Sequence, residues 1–213
     1  NDQPNTTVVI TTPENSTSVR KLKLATNGIL LSTSGGSKII VDGYVTLQGY
    51  ATPEYGGTDE KNNTSSLVSV ATEGELILKG HAKVTGNAYV LDDPVDISIL
   101  GGGITVRGRL TLDENAQISN NTICCAKPFP TPWNAGKRNG KIAWGGGVYI
   151  TGTEAVMEIK GNAKITGNRA INKGGNAYGG AAFPEVGATI KMSGGEISGN
   201  SAEASHRAGG GAL

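Results

Sequence analysis

The sequence lacks several features, and each absence narrows what the chain can be. Lys+Arg 19 against Asp+Glu 18 leaves a net charge of +1, so there is no basic footprint for nucleic acid or for an anionic bilayer. No apolar run approaches the roughly 20 residues of a membrane-spanning helix, so no transmembrane segment is expected. Two cysteines among 213 residues cannot staple the fold. Without clustered His or further Cys they do not spell a zinc site either, and no metal or other cofactor is expected. Helix-spaced stripes of Leu and Ala are missing, which excludes helical repeats. Glycine is abundant instead, at 33 residues, about twice the usual share of roughly 7%. It follows no three-residue period, so collagen is excluded.

What the chain does contain is repetition. "KGHAKVTGN" at 79–87 returns as "KGNAKITGN" at 160–168. Aligning on it gives "IIVDGYVTLQGY" (39–50), "LILKGHAKVTGN" (76–87), "LTLDENAQISNN" (110–121), "MEIKGNAKITGN" (157–168) and "IKMSGGEISGN" (190–200). Each copy places an apolar residue before a turn (Val41, Leu78, Leu112, Ile159, Met192) and another inside the following segment (Leu47, Val84, Ile118, Ile165, Ile197). That is strand, bend, strand. Upstream of the copies lies a third apolar segment: "GILLST", "SLVSVAT", "ISILGGGITV", "GGGVYITG" and "GGAAFPEVG", with "GGGAL" at 209–213 opening another. The closing residues Tyr50, Asn87, Asn121, Asn168 and Asn200 recur 37, 34, 47 and 32 residues apart. A period near 33 with short strands and Gly or Asn corners predicts a parallel β-helix, with coils that bury their apolar residues only by stacking. The expected fold is all-β, a right-handed parallel β-helix of about five to six coils. Residues 1–27 are expected to form an irregular coil or cap and 28–213 the repeats, which are expected to be truncated or to continue at the C-terminal end on further coils or another chain.

The asparagines fall at one corner of successive coils, where stacked amides bond up and down a ladder. Thr85, Ser119, Thr166 and Ser198 form a parallel row, interrupted by Gln48. One hydroxyl per coil is what strand surfaces ordinarily carry, and an ice-binding face needs more. "GGGVYITG", "MEIKGNAKITGN", "GGAAF", "IKMSGGEISGNSA" and "GGGAL" resemble the repeat of bacterial cell-surface right-handed β-helix proteins of the pectin-lyase-like kind. They are also similar to the Gly-Gly-Ala repeats of autotransporter passengers, although the Phe-x-x-Asn element of those passengers is absent. The resemblance spans residues 28–213. It implies a protein located at the cell surface or secreted, often an adhesin. Five Asn-x-Ser/Thr sequons, at Asn5, Asn15, Asn62, Asn63 and Asn120, carry no weight in a bacterial protein, which is the origin the resemblance implies.

Coil length varies after the Asn corner, at 51–66, 88–96, 122–144, 169–178 and 201–208. These segments are expected to be loops emerging on one side of the rod, where solenoids concentrate binding. The segment 122–144, "TICCAKPFPTPWNAGKRNGKIAW", holds both Trp, both Cys and four cations without an acid. Ring faces beside cations suit sugars and acidic glycans, so Trp133, Lys137, Arg138 and Trp144 are the expected binding residues. The partner is then a glycan or an extracellular protein. The opposing expectation is a loop whose Trp and Pro fold back on the rod. Adjacent Cα atoms at Cys124 and Cys125 sit below the usual disulfide range, which leaves free thiols and a strained vicinal bridge both open.

The alternative function is a polysaccharide lyase or glycoside hydrolase of the pectin-lyase-like class. Asp92, Asp93 and Asp96 in "LDDPVD" are its candidate carboxylates, although Pro94 among acids also spells a turn. His81 is followed by Ala82 where such enzymes place a Gly-His-Gly, and it replaces Asn162 at the same repeat position. His81 therefore reads as a corner residue and His206 as a solvated one. Arg107 and Arg109 offer a lyase arginine with no acidic cluster nearby in sequence.

Overall fold

The computed structural model describes residues 5–92, 98–127 and 142–213, and these form short parallel strands throughout, with one 3-10 turn at Pro53–Tyr55. Three stacks make a triangular body. Sheet A stacks Thr7–Ile10, Lys38–Val41, Glu75–Leu78, Arg109–Leu112, Val156–Ile159 and Thr189–Met192. Sheet B stacks Arg20–Lys23, Val45–Gln48, Lys83–Thr85, Gln117–Ser119, Lys164–Thr166 and Glu196–Ser198. Sheet C stacks Leu31–Ser32, Val68–Val70, Ile104–Val106, Val148–Ile150 and Ala182–Pro184. The protein is a parallel β-helix of six coils, each advancing about 4.8 Å.

Register follows from the alternation of side chains. Val41, Leu78, Leu112 and Ile159 align in sheet A, and Leu47, Val84, Ile118 and Ile165 in sheet B; all eight are buried inside the body. Ile104, Val106, Val148 and Ile150 close the core from sheet C. The hydroxyl row Thr85, Ser119, Thr166 and Ser198 is in register with Gln48 on the outer face of sheet B.

Of the segments expected as loops after the Asn corner, 51–66 carries no strand, whereas the described residues of the other four contribute strands to two further sheets. Sheet D stacks Ala88–Leu91, Thr122–Cys125, Arg169–Asn172 and Ser201–Ala204; sheet E stacks Ile99–Leu100, Ile142–Trp144, Asn176–Tyr178 and Ala208–Gly209. From the third coil onward the chain leaves sheet B, runs out along D and returns along E before entering C. The two sheets face one another across Ile99, Ile123, Cys125, Ala143, Ala170 and Ala177, so they form a fin on the body with its own thin core. The other side of sheet D is covered at its base by the segment after the second coil, where Ala51 and Tyr55 meet Ala88, Val90, Cys124 and Ile171.

A neck joins fin to body. Asn87, Asn121 and Asn168 are almost wholly buried. The Oδ1 of Asn121 accepts the Asn87 amide (3.2 Å) while its Nδ2 donates to the Val84 carbonyl (3.2 Å) and to Asn168 Oδ1 (3.1 Å). The same pattern continues from Asn168 to Asn200 (2.9 Å). At the lower end of the ladder stands Asn63, donating to Asn87 Oδ1 (2.9 Å), so this sequon residue takes the ladder position that the repeat alignment assigns to Tyr50. Opposite the asparagines runs the Gly-Gly motif. Gly145 sits at φ 70 where the chain turns back from sheet E, a left-handed conformation that glycine adopts freely. A side chain on the following Gly146 would strike the carbonyl of Gly180 and the backbone of Arg169. Asparagine and glycine thus hold outgoing and returning chain at one narrow crossing.

Candidate ligand-binding site

Sheets C and E meet at an angle where the fin leaves the body, and their outward side chains share that corner. In a strand, residues two apart face the same way. On sheet E the outward row is Leu100, Trp144, Tyr178 and Gly209; on sheet C it is Thr105, Tyr149 and Phe183. The rings gather. Trp144 stacks on Tyr178 with centroids 5.0 Å apart and planes 26° apart, and lies 4.1 Å from Phe183. Tyr149 lies parallel to Phe183 at 6.4 Å. Trp144, Tyr178 and Phe183 are half-buried, whereas Tyr149 is only 3% exposed. The next coil leaves space for this cluster, because a Cβ at Gly209 would come within 2.9 Å of the Tyr178 ring.

Two residues further along sheet C a polar row runs beside the rings. Arg107, Thr151 and Glu185 succeed one another through the ladder bonds Thr151 N–H to Val106 O (2.9 Å) and Glu185 N–H to Ile150 O (2.8 Å). The Thr151 hydroxyl donates to the Glu185 carboxylate. Burial first, and then its hydrogen bond to Glu185, push the Tyr149 phenol well above the usual range, so it remains a neutral donor. Thr151 and Tyr149 thereby fix an exposed carboxylate beside a half-exposed aromatic surface.

Of the expected binding residues, Trp144 lies in this corner. Trp133, Lys137 and Arg138 fall outside the described residues. Sequence reasoning missed Tyr149, Tyr178, Phe183 and Glu185. A signal did exist: Leu100, Trp144 and Tyr178 each stand immediately before Gly-Gly, which marks the outward position of sheet E in every coil.

Among the candidate carboxylates, Asp92 is exposed at the end of a sheet D strand, and Asp93 and Asp96 fall outside the described residues. Arg107 and Arg109 are exposed on different sheets, C and A. His81 stacks on Tyr44 at 4.3 Å and 13°, in the corner between sheets A and B. The cysteines occupy successive positions of one strand and so face opposite ways, Cys124 toward Tyr55 and Cys125 into the fin. Both are buried and neither forms a disulfide. Burial raises the Cys124 thiol above its ordinary value despite the Tyr55 hydroxyl 3.5 Å away.

The outer face of sheet A bears a shallow depression of about 440 Å³ lined by Ile40, Ile77, Arg109, Thr111 and Glu158 among others. Its rim is made of paired charges: Lys38–Glu75 at 2.7 Å, Lys79–Asp42 at 2.9 Å and Lys160–Glu158 at 2.7 Å. Hydrogen bonding and attraction from Lys160 hold Glu158 below the usual carboxylate range. A proton donor for glycoside cleavage needs a carboxyl shifted the other way. Among the described residues no cluster of three or more His, Cys, Asp or Glu could hold a metal ion, and no helix is long and apolar enough to cross a membrane.

The fold and the corner define a solenoid with a lateral aromatic surface. Compared with known proteins, the chain matches no family model, no curated protein and no solved structure.

Proposed function

We propose that the protein is a non-catalytic, cell-surface or secreted β-helix that binds a glycan or an extracellular protein along the side carrying the fin. The observation that supports this reading is the half-exposed cluster of Trp144, Tyr178 and Phe183, in a chain with only 5% aromatic residues. A sparse aromatic supply concentrated at a concave, partly wet corner is the composition of a contact surface. The resemblance of the repeats to pectin-lyase-like surface proteins and adhesins points the same way. The body supplies rigidity, since each coil is locked to the next by backbone bonds and by the asparagine ladder. The aromatic corner is shared by two successive coils, Trp144 and Tyr149 from one and Tyr178 and Phe183 from the next.

The test is binding of the purified chain to an array of glycans and matrix proteins, beside a Trp144→Ala variant, with released sugar assayed in parallel. Saturable binding that the variant loses, without products, supports the reading. Product formation replaces it with a polysaccharide lyase or glycoside hydrolase. Equal binding by both proteins moves the contact away from this corner.

A further inference from the structure

The corner contains more than rings, and its polar half narrows what it can take. From this geometry we infer that the site built by Trp144, Tyr178, Phe183 and Glu185 binds a neutral sugar chain, with the rings stacking on pyranose faces and the Glu185 carboxylate accepting sugar hydroxyls. The inference rests on the ligand-binding reading above and specifies its substrate class.

Three observations lead to it. First, Trp144 and Tyr178 occupy the same row of sheet E, one coil apart, with ring centroids separated by 5.0 Å. Stacked on one another, the two rings close one face of each and leave the outer face of Tyr178 beside Gly209, where the next coil places no side chain over it. A pyranose has one face lined by C–H bonds and an equator of hydroxyls. It therefore needs an aromatic face and, roughly at right angles, hydrogen-bonding groups. Second, those groups are present on the adjoining sheet. Glu185 follows Phe183 by two residues and shares its face, and its carboxylate is held by the Thr151 and Tyr149 hydroxyls. A carboxylate has about four acceptor sites; two donors from the protein leave the remainder open, and Glu185 is exposed. Third, the sign of the charge matters. Glu185 belongs to the coil that supplies Phe183, while Arg107 lies two coils away in the same polar row, roughly 10 Å along the axis. A ligand on the rings meets the anion first. Hydroxyl donors are favoured there, and the carboxylates of uronic acids or sulfate groups are repelled. This differs from the acidic glycan that the cations of 127–141 suggest by composition.

The experiment measures binding of cellohexaose, chitohexaose and hexagalacturonate to the full chain by calorimetry and by tryptophan fluorescence. Wild-type protein, Trp144→Ala, Phe183→Leu and Glu185→Gln are compared, each checked for native circular dichroism. Phe183→Leu keeps an apolar filler and removes the ring face. Glu185→Gln keeps the shape and removes the charge. The expected result is that a neutral hexamer binds, that Trp144→Ala and Phe183→Leu weaken it, and that Glu185→Gln reduces the preference for neutral over acidic hexamer by about tenfold, the worth of a charge-assisted hydrogen bond. Trp144-dependent binding that favours hexagalacturonate, or a preference unchanged in Glu185→Gln, overturns the inference while leaving the ligand-binding reading intact. Trp144-dependent binding to a matrix protein with none to the hexamers also overturns it. Binding that Trp144→Ala does not weaken overturns the inference alone, and absence of wild-type binding to any glycan or protein overturns both.

Discussion

The body and the fin are built on the same backbone ladder but from different side chains. Inside the body stand Leu, Ile, Val and Met from three sheets, with Leu47, Leu78, Leu112 and Ile118 fully buried. Inside the fin stand Ala143, Ala170 and Ala177 with Ile99, Ile123 and Cys125, from two sheets only. Small residues let two sheets approach closely and leave little apolar area to remove from water. At about 25 cal/mol per Å² the larger body side chains contribute most of the driving force. The fin depends correspondingly more on backbone pairing and on the neck. Rigidity and stability therefore reside in the body, and the fin is a thin plate that shapes the corner beside it.

The largest test of that division is Leu112→Ala. The side chain lies at the centre of sheet A between Leu78 and Ile159, and its truncation is expected to cost about 2 to 5 kcal/mol, read as a lower urea midpoint for the whole molecule. A shift of less than about 1 kcal/mol would show that the body does not carry the stability. Next comes Asn121→Ala, which orphans the buried Asn87 amide and removes a donor from the Val84 carbonyl and from Asn168 Oδ1 at the neck. Each unsatisfied buried group costs about 1 to 3 kcal/mol, so a loss of about 2 kcal/mol or more is expected. Asn121→Asp sets a buried carboxylate oxygen against the Val84 carbonyl and Asn168 Oδ1, and should cost more than alanine at neutral pH. An alanine variant of unchanged stability would make the ladder dispensable.

The same comparison explains what was legible beforehand. Sheets A, B and C were readable because their inward residues are large and alternate: Leu76 and Leu78, Leu110 and Leu112, Met157 and Ile159 repeat at fixed distances from the turn. The fin was not readable. Its strands "AYVL", "TICC", "RAIN" and "SAEA" share only an alternation of small or short residues, and the connections between D and E differ in length from coil to coil. A repeat search that relies on large apolar residues at constant spacing returns such stretches as loops. The asparagine corner was legible, yet its lowest member was not, because Asn63 reaches the ladder from a coil without fin strands. Trp144 could be picked out by composition alone. Its partners Tyr178 and Phe183 come from other coils and become neighbours only once the stacking register brings positions 144, 178 and 183 together.

A third test enlarges the fin core. Ala177 lies on sheet E facing sheet D with no exposed surface, and Ala177→Leu inserts volume between two sheets that have none to spare. The expected cost is about 1 to 3 kcal/mol, confined to the fin. Cys124 and Cys125 report this directly, one on each face of a sheet D strand. Maleimide labelling in native buffer should be slow in the wild type and accelerate in Ala177→Leu before the global urea midpoint moves appreciably, because local opening needs less free energy than unfolding. Labelling that tracks the global midpoint in every variant would mean that body and fin open as one unit.

The smallest effect belongs to the outer face of the body. Asp42 is partly buried, which opposes its ionisation, but the Lys79 ammonium at 2.9 Å and the Gly43 amide at 2.6 Å outweigh that cost and hold its carboxyl below the usual aspartate range. The same contact raises Lys79 above 10.5. A depressed carboxyl contributes stability that is complete above its unfolded value and is lost as pH falls through the folded one, so the Asp42 contribution should fade only below about pH 4. A raised amine contributes below its unfolded value and loses that contribution as pH climbs past 10.5. Between these limits the pair is flat with pH. With both side chains about a third exposed, screening keeps its worth under about 1 kcal/mol. Asp42→Asn should therefore lower the urea midpoint slightly at pH 7, and the difference should shrink at pH 2.5 as the folded carboxyl takes up its proton. Thiol labelling of the fin should not respond at either pH, since Asp42 touches only sheet A and its turn. A labelling response at pH 7 would show that the charge on the body's outer face reaches the fin, and the two regions would then have to be treated as a single cooperative structure.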